Sequence, residues 1–457
     1  MKKNNLSLLL SILLTHLTVF VTSVNPDCVP NCLGNTPYLG ARSWNSVRGE
    51  INQTFVSSQL IGLTQPLSNG GSLSFSGFSN YGIDDGWEAC GSGVNGSFHD
   101  VDGFPMINKD LFPNMEDLVA TATGLNITIG WYMNCCGCPA EHKLSSPHYQ
   151  QDAYTTAALG FSSLKIDGCG NEPNISAWAQ ALTEATQSGI GPTDGIILEN
   201  CNDDTPFRPT INPDGSIDCP YNYFRTSIDG SPSFRSTIWN IYQTLPFLKV
   251  SGPGCFAYAD MLTFGVPAIG YGGSSFETNC NGTRLTNAEA RAQFAAFALL
   301  SSPLVLGFDV SNATERLLWE DIITHSQTLS YNALYDGEAG RLVSQSSNMS
   351  TVGVYVGGVC ELLQTYTMPN WMVIGKRLAH NPSDNTTIKF ASIVIVGDYA
   401  GVVDFIAPLT SMGFADGVTV SSEDGWTGTD TGDITTTWQG SGITAPGGLY
   451  RVFTLKA

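Results

Sequence analysis

Short apolar runs alternate with longer mixed segments over much of the chain, from about residue 37 to residue 310. Eight of these runs have the length of a buried strand, and helical or loop segments separate them. The candidate strands cover 39–44, 81–84, 127–132, 163–166, 195–198, 223–225, a run ending near Met261, and 303–308. Eight strands that alternate with helices predict an α/β fold, a (β/α)8 TIM barrel, over residues 33–335.

The clearest helix is predicted over residues 287–300. Thr286 precedes it as a candidate N-cap, and Glu289 three residues later completes a capping box. Phe294, Phe297 and Leu300 recur at the spacing that places side chains on one buried face of a helix.

The pattern changes after about residue 335. Runs that alternate between apolar and polar residues, at 351–356, 387–396 and 450–455, are separated by clusters of Gly, Asn, Asp and Ser. This pattern predicts a small C-terminal antiparallel β-sandwich domain over residues 336–457. The Thr- and Gly-rich stretch 427–447 is interpreted as loops of that sandwich.

Charge and hydropathy narrow the class of partner. The chain has 457 residues, of which 42% are apolar, so it can bury a large interior. Its 40 acidic and 20 basic residues give a net charge of −20, which argues against nucleic acid or an anionic membrane as a partner. Beyond the N-terminus, no segment approaches the ~18 uninterrupted apolar residues of a membrane span.

The N-terminus has the pattern of a secretory signal peptide over residues 1–23. Lys2 and Lys3 precede a mainly apolar stretch, and the small residues Val21-Thr22-Ser23 offer a cleavage site. We therefore expect a secreted protein or one delivered to a lysosome or vacuole. Eight Asn-X-Ser/Thr sites beyond the signal fit a glycoprotein.

The chain has twelve cysteines. Because disulfides persist in oxidising compartments, the expected export of the protein indicates that these cysteines form disulfides. The cluster Cys135-Cys136-Gly137-Cys138 could instead suggest zinc, but no histidine lies at ligand spacing from it. We favour disulfides and expect no metal.

Carboxylates recur at the ends of the predicted strands. Asp84 and Asp85, Asp167, Asp229 and Asp260 all lie in such positions. A single aspartate there is more often an N-cap or a turn residue. Several together are typical of a barrel active site, because the chemistry of these barrels takes place at the carboxyl ends of the strands.

Aromatic residues accompany these carboxylates. Trp44, Trp87 and Tyr132 could cover the apolar face of a sugar ring while carboxylates bind its hydroxyls. Cleavage of a glycosidic bond also needs two carboxylates in different environments. The pattern therefore favours a carbohydrate-active site.

Several of these residues belong to motifs of one known family. The chain resembles glycoside hydrolase family 27, the α-galactosidase and α-N-acetylgalactosaminidase family, in the right order over about residues 37–310. The resemblance rests on Gly40-Ala41-Arg42-Ser43-Trp44, Ile83-Asp84-Asp85-Gly86-Trp87, Gly130-Trp131-Tyr132, Leu164-Lys165-Ile166-Asp167-Gly168-Cys169, Arg225 with Asp229, Gly252-Pro253-Gly254, and Asp260-Met261-Leu262.

The resemblance implies a retaining exo-α-glycosidase that acts on terminal α-galactosyl residues and needs no metal or organic cofactor. Asp167 would be the nucleophile, and Asp229 would be the acid/base, which requires a raised pKa. Lys165 would support the charge of Asp167. The implied substrate-binding set is Trp44, Asp84, Asp85, Tyr132, Lys165, Asn202, Arg225 and Asp260. A homodimer is possible.

The chain also departs from the family pattern. Gly86 replaces a cysteine, with Cys90 close behind it. Phe256-Ala257-Tyr258-Ala259-Asp260 lies where the family has Trp-Asn-Asp-Pro-Asp, so one acidic residue is lost and only Asp260 carries over. The fifth strand contains Glu199-Asn200-Cys201-Asn202 instead of Cys-Glu-Trp, so an α-N-acetylgalactosaminidase or a β-L-arabinopyranosidase remains an alternative. A non-catalytic carbohydrate-binding protein on this barrel is a further one.

Two disulfides are implied around the nucleophile. Cys201 would pair with Cys219, and Cys169 with one of Cys135, Cys136 or Cys138, of which we favour Cys138.

Overall fold

The computed structural model describes residues 31–134, 148–168, 174–201, 208–266, 284–357, 362–445 and 449–456. The predicted signal peptide, Cys138, Cys169 and Asn202 lie outside these residues. Within them, no helix is long and apolar enough to cross a membrane.

Eight parallel strands form the first part of the fold. They are β1 (Leu39–Arg42), β2 (Asn80–Gly82), β3 (Thr128–Asn134), β4 (Ser163–Asp167), β5 (Ile197–Cys201), β8 (Tyr223–Arg225), β9 (Phe256–Tyr258) and β10 (Leu304–Leu306). A short hairpin, β6 (Thr210–Ile211) and β7 (Ile217–Asp218), lies between β5 and β8. The strand order is β10-β1-β2-β3-β4-β5-β8-β9.

Leu262 closes this sheet into a barrel. Its backbone N–H donates to the carbonyl of Val305 at 2.8 Å, and its carbonyl accepts from the N–H of Gly307 at 3.1 Å. Because Leu262 follows β9 and the other two residues belong to or follow β10, the last and first strands of the row are joined. The predicted TIM barrel is confirmed.

Helices surround the strands in the expected alternation. They are α1 (Trp44–Val47), α2 (Gln53–Thr64), α3 (Met115–Gly124), α4 (Tyr149–Ala158), α5 (Ile175–Gln187), α6 (Phe234–Thr244), α7 (Asn287–Leu299), α8 (Ala313–Leu318), α9 (Glu320–Ile323) and α10 (Ser326–Ala333). The predicted capping box of α7 is present, since Thr286 Oγ1 accepts from the N–H of Glu289 and the Glu289 carboxylate accepts from the N–H of Thr286.

The barrel strands are buried on both faces, and this explains their almost continuous apolar sequences. Their outer side chains join the large core beneath the helices, which includes Leu164 and Ile166. A separate cluster forms from Tyr38, Tyr223, Phe256, Tyr258, Met261 and Val305.

An antiparallel β domain follows the barrel, as the fold prediction required. Its central sheet has the order β11-β14-β15-β20-β17-β18, and two-stranded pairs form from β12 with β13 and from β16 with β19. The strands are β11 (Arg341–Gln345), β12 (Met349–Val356), β13 (Leu362–Pro369), β14 (Trp371–His380), β15 (Thr387–Val396), β16 (Val402–Pro408), β17 (Val420–Asp424), β18 (Asp430–Ile434), β19 (Thr437–Thr444) and β20 (Tyr450–Leu455).

The interpretation of residues 427–447 as loops is wrong. β18 and β19 both fall entirely within that stretch. β18 is exposed along nearly its whole length, so its sequence lacks the apolar alternation that identifies a half-buried strand.

The central sheet packs on two different partners. Ala391, Ile393 and Ile395 of β15 join the core shared with the barrel, whereas Val394 and Val396 pack on the side of β16 and β19. Successive side chains of a strand point to opposite faces, so one face covers the barrel and the other completes the sandwich.

A lysine lies on the barrel side of this sheet. Lys376 is fully buried, and its Nζ donates to Ser301 Oγ at 2.6 Å and to the carbonyls of Tyr331 and Asn332 at 2.7 and 3.2 Å. These three acceptors match the three donors of an ammonium group. Lys376 therefore links β14 to the barrel.

The predicted Cys201–Cys219 disulfide is wrong. Cys219 pairs with Cys255, and Cys201 is a buried free thiol. Cys219 lies shortly before β8 and Cys255 directly before β9, so the bridge joins the amino ends of neighbouring strands. Cys201 ends β5 at the opposite, carboxyl end of the barrel. Cys32 and Cys90 are also disulfide-bonded.

Candidate active site

Asp167 is the last residue of β4, and two donors orient its carboxylate. The Tyr132 hydroxyl donates to Oδ2 at 2.9 Å, and the backbone N–H of Gly168 donates to Oδ1 at 3.0 Å. Tyr132 comes from the neighbouring strand β3, so the register of the barrel brings this pair together. The predicted sugar-binding tyrosine thus contacts the predicted nucleophile.

Asp84 follows β2 and is buried. Lys165 Nζ of β4 donates to its Oδ2 at 2.8 Å, and Arg42 Nη1 of β1 approaches the same oxygen at 3.5 Å. Burial by itself raises the pKa of Asp84, but the charges of Lys165 and Arg42 outweigh it and hold that pKa below its usual value. Lys165 therefore pairs with Asp84, where we expected it beside Asp167.

The barrel interior also contains an ion pair that we did not predict. Arg42 of β1 and Glu199 of β5 form it, with side chains only 5% and 3% exposed. Burial lowers the pKa of Arg42, yet Glu199 and the other groups around it raise that pKa well above normal. Arg42, Lys165, Asp84 and Glu199 thus form a compact group with two positive and two negative charges. We call it the charge quartet.

Asp85 lies beside the quartet and differs from Asp84. Burial, followed by the charge of Asp84, raises the pKa of Asp85. Glu88, another residue that we did not predict, is buried nearby and accepts from the N–H of Gly86 at 2.9 Å. Burial and the charge of Asp85 raise the pKa of Glu88 well above its usual range. This corner of the site therefore binds protons more readily than Asp84 does.

Arg225 ends β8 and lies between two carboxylates. Its Nη1 is 2.7 Å from Asp229 Oδ1 and 3.4 Å from Asp260 Oδ1. Burial raises the pKa of Asp229, but Arg225 and Lys165 reverse this and hold the pKa below its ordinary value. The expectation of a raised pKa for Asp229 is therefore wrong for the protein without substrate.

Asp260 fixes the loop that contains Asp229. Its Oδ2 accepts from the backbone N–H of Gly230 at 2.5 Å, which joins the segments after β8 and β9. Asp260 has a φ of 82°, a left-handed conformation that aspartate tolerates better than most residues. Burial, and also the charge of Asp229, raise the pKa of Asp260.

Cys201 completes the ring of side chains at the end of β5. It pairs in register with Asp167, and its Sγ is 3.4 Å from Arg225 Nη1. Burial raises the pKa of the thiol well above its usual value. The residue therefore contributes a small neutral side chain to this side of the site.

Trp44 begins α1 directly after β1. The guanidinium of Arg48 lies over its ring, 4.9 Å from the centroid, which is cation–π geometry. Trp87, in contrast, is fully buried between Trp131 and Phe98, so it supports the site from the core.

The site thus offers carboxylates in distinct environments around one barrel end. Asp167 is oriented by neutral donors, Asp229 is paired with an arginine, and Asp84 is held by two cations. Within the part of the chain that the structure describes, no group of three or more His, Cys, Asp or Glu side chains could hold a metal. The arrangement is suited to acid, base and nucleophilic chemistry by carboxylates.

Comparisons with known proteins give a consistent picture. No family model matches the chain. It is 25% identical over 318 residues to alpha-galactosidase A of Cellvibrio japonicus, which covers 66% of this chain and 68% of that protein.

Solved structures share the fold over nearly the whole chain. Alpha-galactosidase I from Mortierella vinacea superposes with a TM-score of 0.65 at 18% identity, covering 93% of this chain and 98% of its own. A GH27 β-L-arabinopyranosidase from Geobacillus stearothermophilus gives 0.64 at 14% identity, covering 93% and 97%.

The barrel with its carboxylates, together with the curated relatives, defines the chain as a glycoside hydrolase. Its sequence relatives are α-galactosidases, and its structural neighbours include a GH27 enzyme of different specificity. These findings are consistent with glycoside hydrolase family 27, the family that the motifs of the chain resemble.

Proposed function

We propose that the protein is a retaining exo-α-galactosidase that removes terminal α-D-galactosyl residues from oligosaccharides or glycoconjugates. The observation that carries this proposal is the contrast between Asp167, oriented by Tyr132 and Gly168, and Asp229, paired with Arg225. Two carboxylates in different environments are what a double displacement requires.

Asp167 acts as the nucleophile in the first step. It attacks the anomeric carbon and forms a covalent glycosyl–enzyme, while Asp229 donates a proton to the oxygen of the departing alcohol. In the second step Asp229 takes a proton from water, and that water displaces Asp167 from the sugar. Asp84 and Asp85 bind sugar hydroxyls, and Lys165 and Arg42 keep Asp84 in its acceptor state.

Asp229 gains its proton when substrate fills the site. Desolvation is the largest influence on its pKa, and it acts to raise that pKa. A bound sugar that excludes water strengthens this influence against the opposing charge of Arg225. The pKa of Asp229 therefore rises on binding, and the acid is present when the leaving group needs it.

The proposal is tested by hydrolysis of nitrophenyl α-galactoside, α-N-acetylgalactosaminide and β-L-arabinopyranoside with the purified protein. We expect α-galactoside to be the best substrate. Preference for either of the other two would assign the alternative specificity, and sugar binding without turnover would indicate a carbohydrate-binding protein.

The roles are tested by labelling with a fluorosugar that traps the glycosyl–enzyme. We expect the label on Asp167 and no turnover by Asp167→Asn, whereas Asp102→Asn, at an exposed aspartate, keeps full activity. Label on a different residue would overturn the assignment of the nucleophile.

We also propose that the protein is exported through the signal peptide at residues 1–23. Secretion assays with and without these residues test this expectation. Gel filtration with light scattering tests the homodimer.

A further inference from the structure

A hairpin of the C-terminal domain leaves the central sheet and packs on the barrel. It consists of β12 and β13 and lies against α6, where the rings of Tyr366 and Trp239 stack at a centroid distance of 4.0 Å. Arg235 Nη1 of the same helix donates to the carbonyl of Gly353 at 3.5 Å, and Val354 is fully buried. The hairpin is therefore firmly attached to the helix that follows the Asp229 loop.

The end of β12 contacts the Asp229 loop itself. Val356 forms an antiparallel bridge with Gly230, and the N–H of Gly357 donates to the carbonyl of Asp229 at 3.3 Å. Gly357 has a φ of 90°, which residues with a side chain rarely adopt. The backbone of Asp229 is thus hydrogen-bonded to the second domain, while Arg225 holds its carboxylate from the barrel side.

Arg48 joins the hairpin to the sugar pocket. Its Nη2 donates to the carbonyl of Gly357 at 2.5 Å while its guanidinium lies over Trp44. The positive charge of Arg48 also acts on Asp229, after the stronger effects of burial, Arg225 and Lys165. One side chain thus contacts the second domain and a predicted sugar-binding ring, and its positive charge also lowers the pKa of Asp229.

We propose that the β12–β13 hairpin and Arg48 position the Asp229 carboxylate for proton transfer, so that the C-terminal domain is a working part of the active site. This inference rests on the proposed role of Asp229 as acid/base. The Asp229 loop is held from the barrel by Asp260 and from the second domain by Gly357. Arg48 and Gly357 are positioning residues, since they act through Asp229.

Positioning of an acid has a kinetic signature. Its loss matters most when the departing alcohol is a strong base that must be protonated, and least when the leaving group departs as a stable anion. General unfolding or a displaced sugar pocket would lower activity equally for all leaving groups. The dependence on leaving group therefore separates positioning from a structural role.

The test measures kcat/KM for α-galactosides with leaving groups from dinitrophenol to methanol. Arg48→Met keeps an unbranched side chain that can make an apolar contact with Trp44, but it lacks the charge and the donor. We expect a loss of about tenfold or more for alkyl galactosides and about twofold or less for the dinitrophenyl substrate, because a positioned acid contributes ~10²–10⁴-fold.

Arg291→Met is the matched control. Arg291 of α7 lies over Trp426 of the β domain at 4.8 Å, so it has the same Arg–Trp geometry on another contact between the domains. We expect equal, small changes for every leaving group in this variant. An equal loss for all leaving groups in Arg48→Met, or no loss at all, overturns the proposal.

A second variant shortens the hairpin by joining Gly353 to Thr365, which are paired in register, through an Asn-Gly turn. Stacking of Tyr366 on Trp239 is retained, while the contact with Asp229 is removed. We expect the same selective loss on alkyl galactosides.

Asp229→Ala separates the two hypotheses. It must itself show the steepest dependence on leaving group if Asp229 is the acid/base. If Asp229→Ala shows no such dependence, the proposed role of Asp229 as acid/base is refuted. If Asp229→Ala shows a steep dependence on leaving group, but Arg48→Met and a folded protein with the shortened hairpin show none, only the role of the hairpin is refuted.

Discussion

The charge quartet gives a sharp prediction about stability. Arg42 and Glu199 are almost fully removed from solvent, and Asp84 shares Arg42 with Glu199. Arg42→Met leaves two buried carboxylates with the single cation Lys165, so the interior has an uncompensated negative charge. We expect this substitution to lower the free energy of unfolding by about 3–5 kcal/mol, the usual cost of breaking a buried ion pair from one side.

Glu199→Met has the opposite imbalance, since it leaves Arg42 and Lys165 with Asp84 alone. The double variant Arg42→Met/Glu199→Met restores neutrality, because Lys165 and Asp84 remain paired at 2.8 Å. Buried ion pairs replaced by apolar residues are often neutral or stabilising. We therefore expect the double variant to lose about 2 kcal/mol or less, well under the sum of the single losses.

Denaturant unfolding of the four proteins, followed by tryptophan fluorescence and by circular dichroism, measures this cycle. Coincident transitions by the two probes establish that a single free energy applies to each protein. The result that contradicts the reasoning is additivity, in which the double variant loses the sum of the two single losses. Additivity would mean that Arg42 and Glu199 act separately and that the quartet is no electrostatic unit.

Three further predictions concern other parts of the molecule. Tyr132→Phe removes a hydrogen-bond donor to Asp167. Because hydrogen bonds to charged groups contribute ~1.5–3 kcal/mol, kcat should fall about tenfold or more. Steady-state kinetics measures this effect, and an unchanged kcat contradicts it. The Cys219–Cys255 disulfide closes a loop of 36 residues, so Cys255→Ser should lower the free energy of unfolding by about 4 kcal/mol. Thermal unfolding measures this loss, and kcat at low temperature should stay unchanged. Cys219→Ser should give the same result. Burial lowers the pKa of Lys376 from 10.5 to about 7, so the unfolded chain binds the proton more tightly, and stability should rise by about 1 kcal/mol per pH unit between pH 7 and 10. Lys376→Met should lose this pH dependence of stability, and an identical pH dependence in the variant would refute its assignment to Lys376.

Local patterns predicted much of the fold. β8 matches the predicted strand 223–225, and Thr286 with Glu289 correctly placed the start of α7. Both depend on signals within a few residues. The strands β18 and β19 were missed because they belong to an exposed region rich in threonine and glycine, where the hydrophobic pattern that marks a buried face is absent.

The site was predicted as a set of carboxylates but without its connections. Arg42 and Glu199 are 157 residues apart, and their contact follows only from closure of the barrel. The parallel pairing of β8 with β9 brings Cys255, at the amino end of β9, to Cys219, whereas Cys201 lies at the carboxyl end of β5. The lowered pKa of Asp229 depends on the 2.7 Å approach of Arg225, a distance that no sequence pattern states. Strand 351–356 was predicted, but its attachment to the Asp229 loop was not.

The position of β20 in the central sheet has a consequence for the order in which the protein can mature. β20 lies between β15 and β17, although it follows every other strand in the sequence. During synthesis the last barrel strand, β10, is therefore made more than a hundred residues before the sheet that covers one of the barrel's apolar faces can close. Until Tyr450–Leu455 leave the ribosome, that face stays open to chaperones and to other unfinished chains. A substitution that disrupts these few residues should thus act like a defect in the core of the barrel, although it lies more than a hundred residues beyond the last barrel strand.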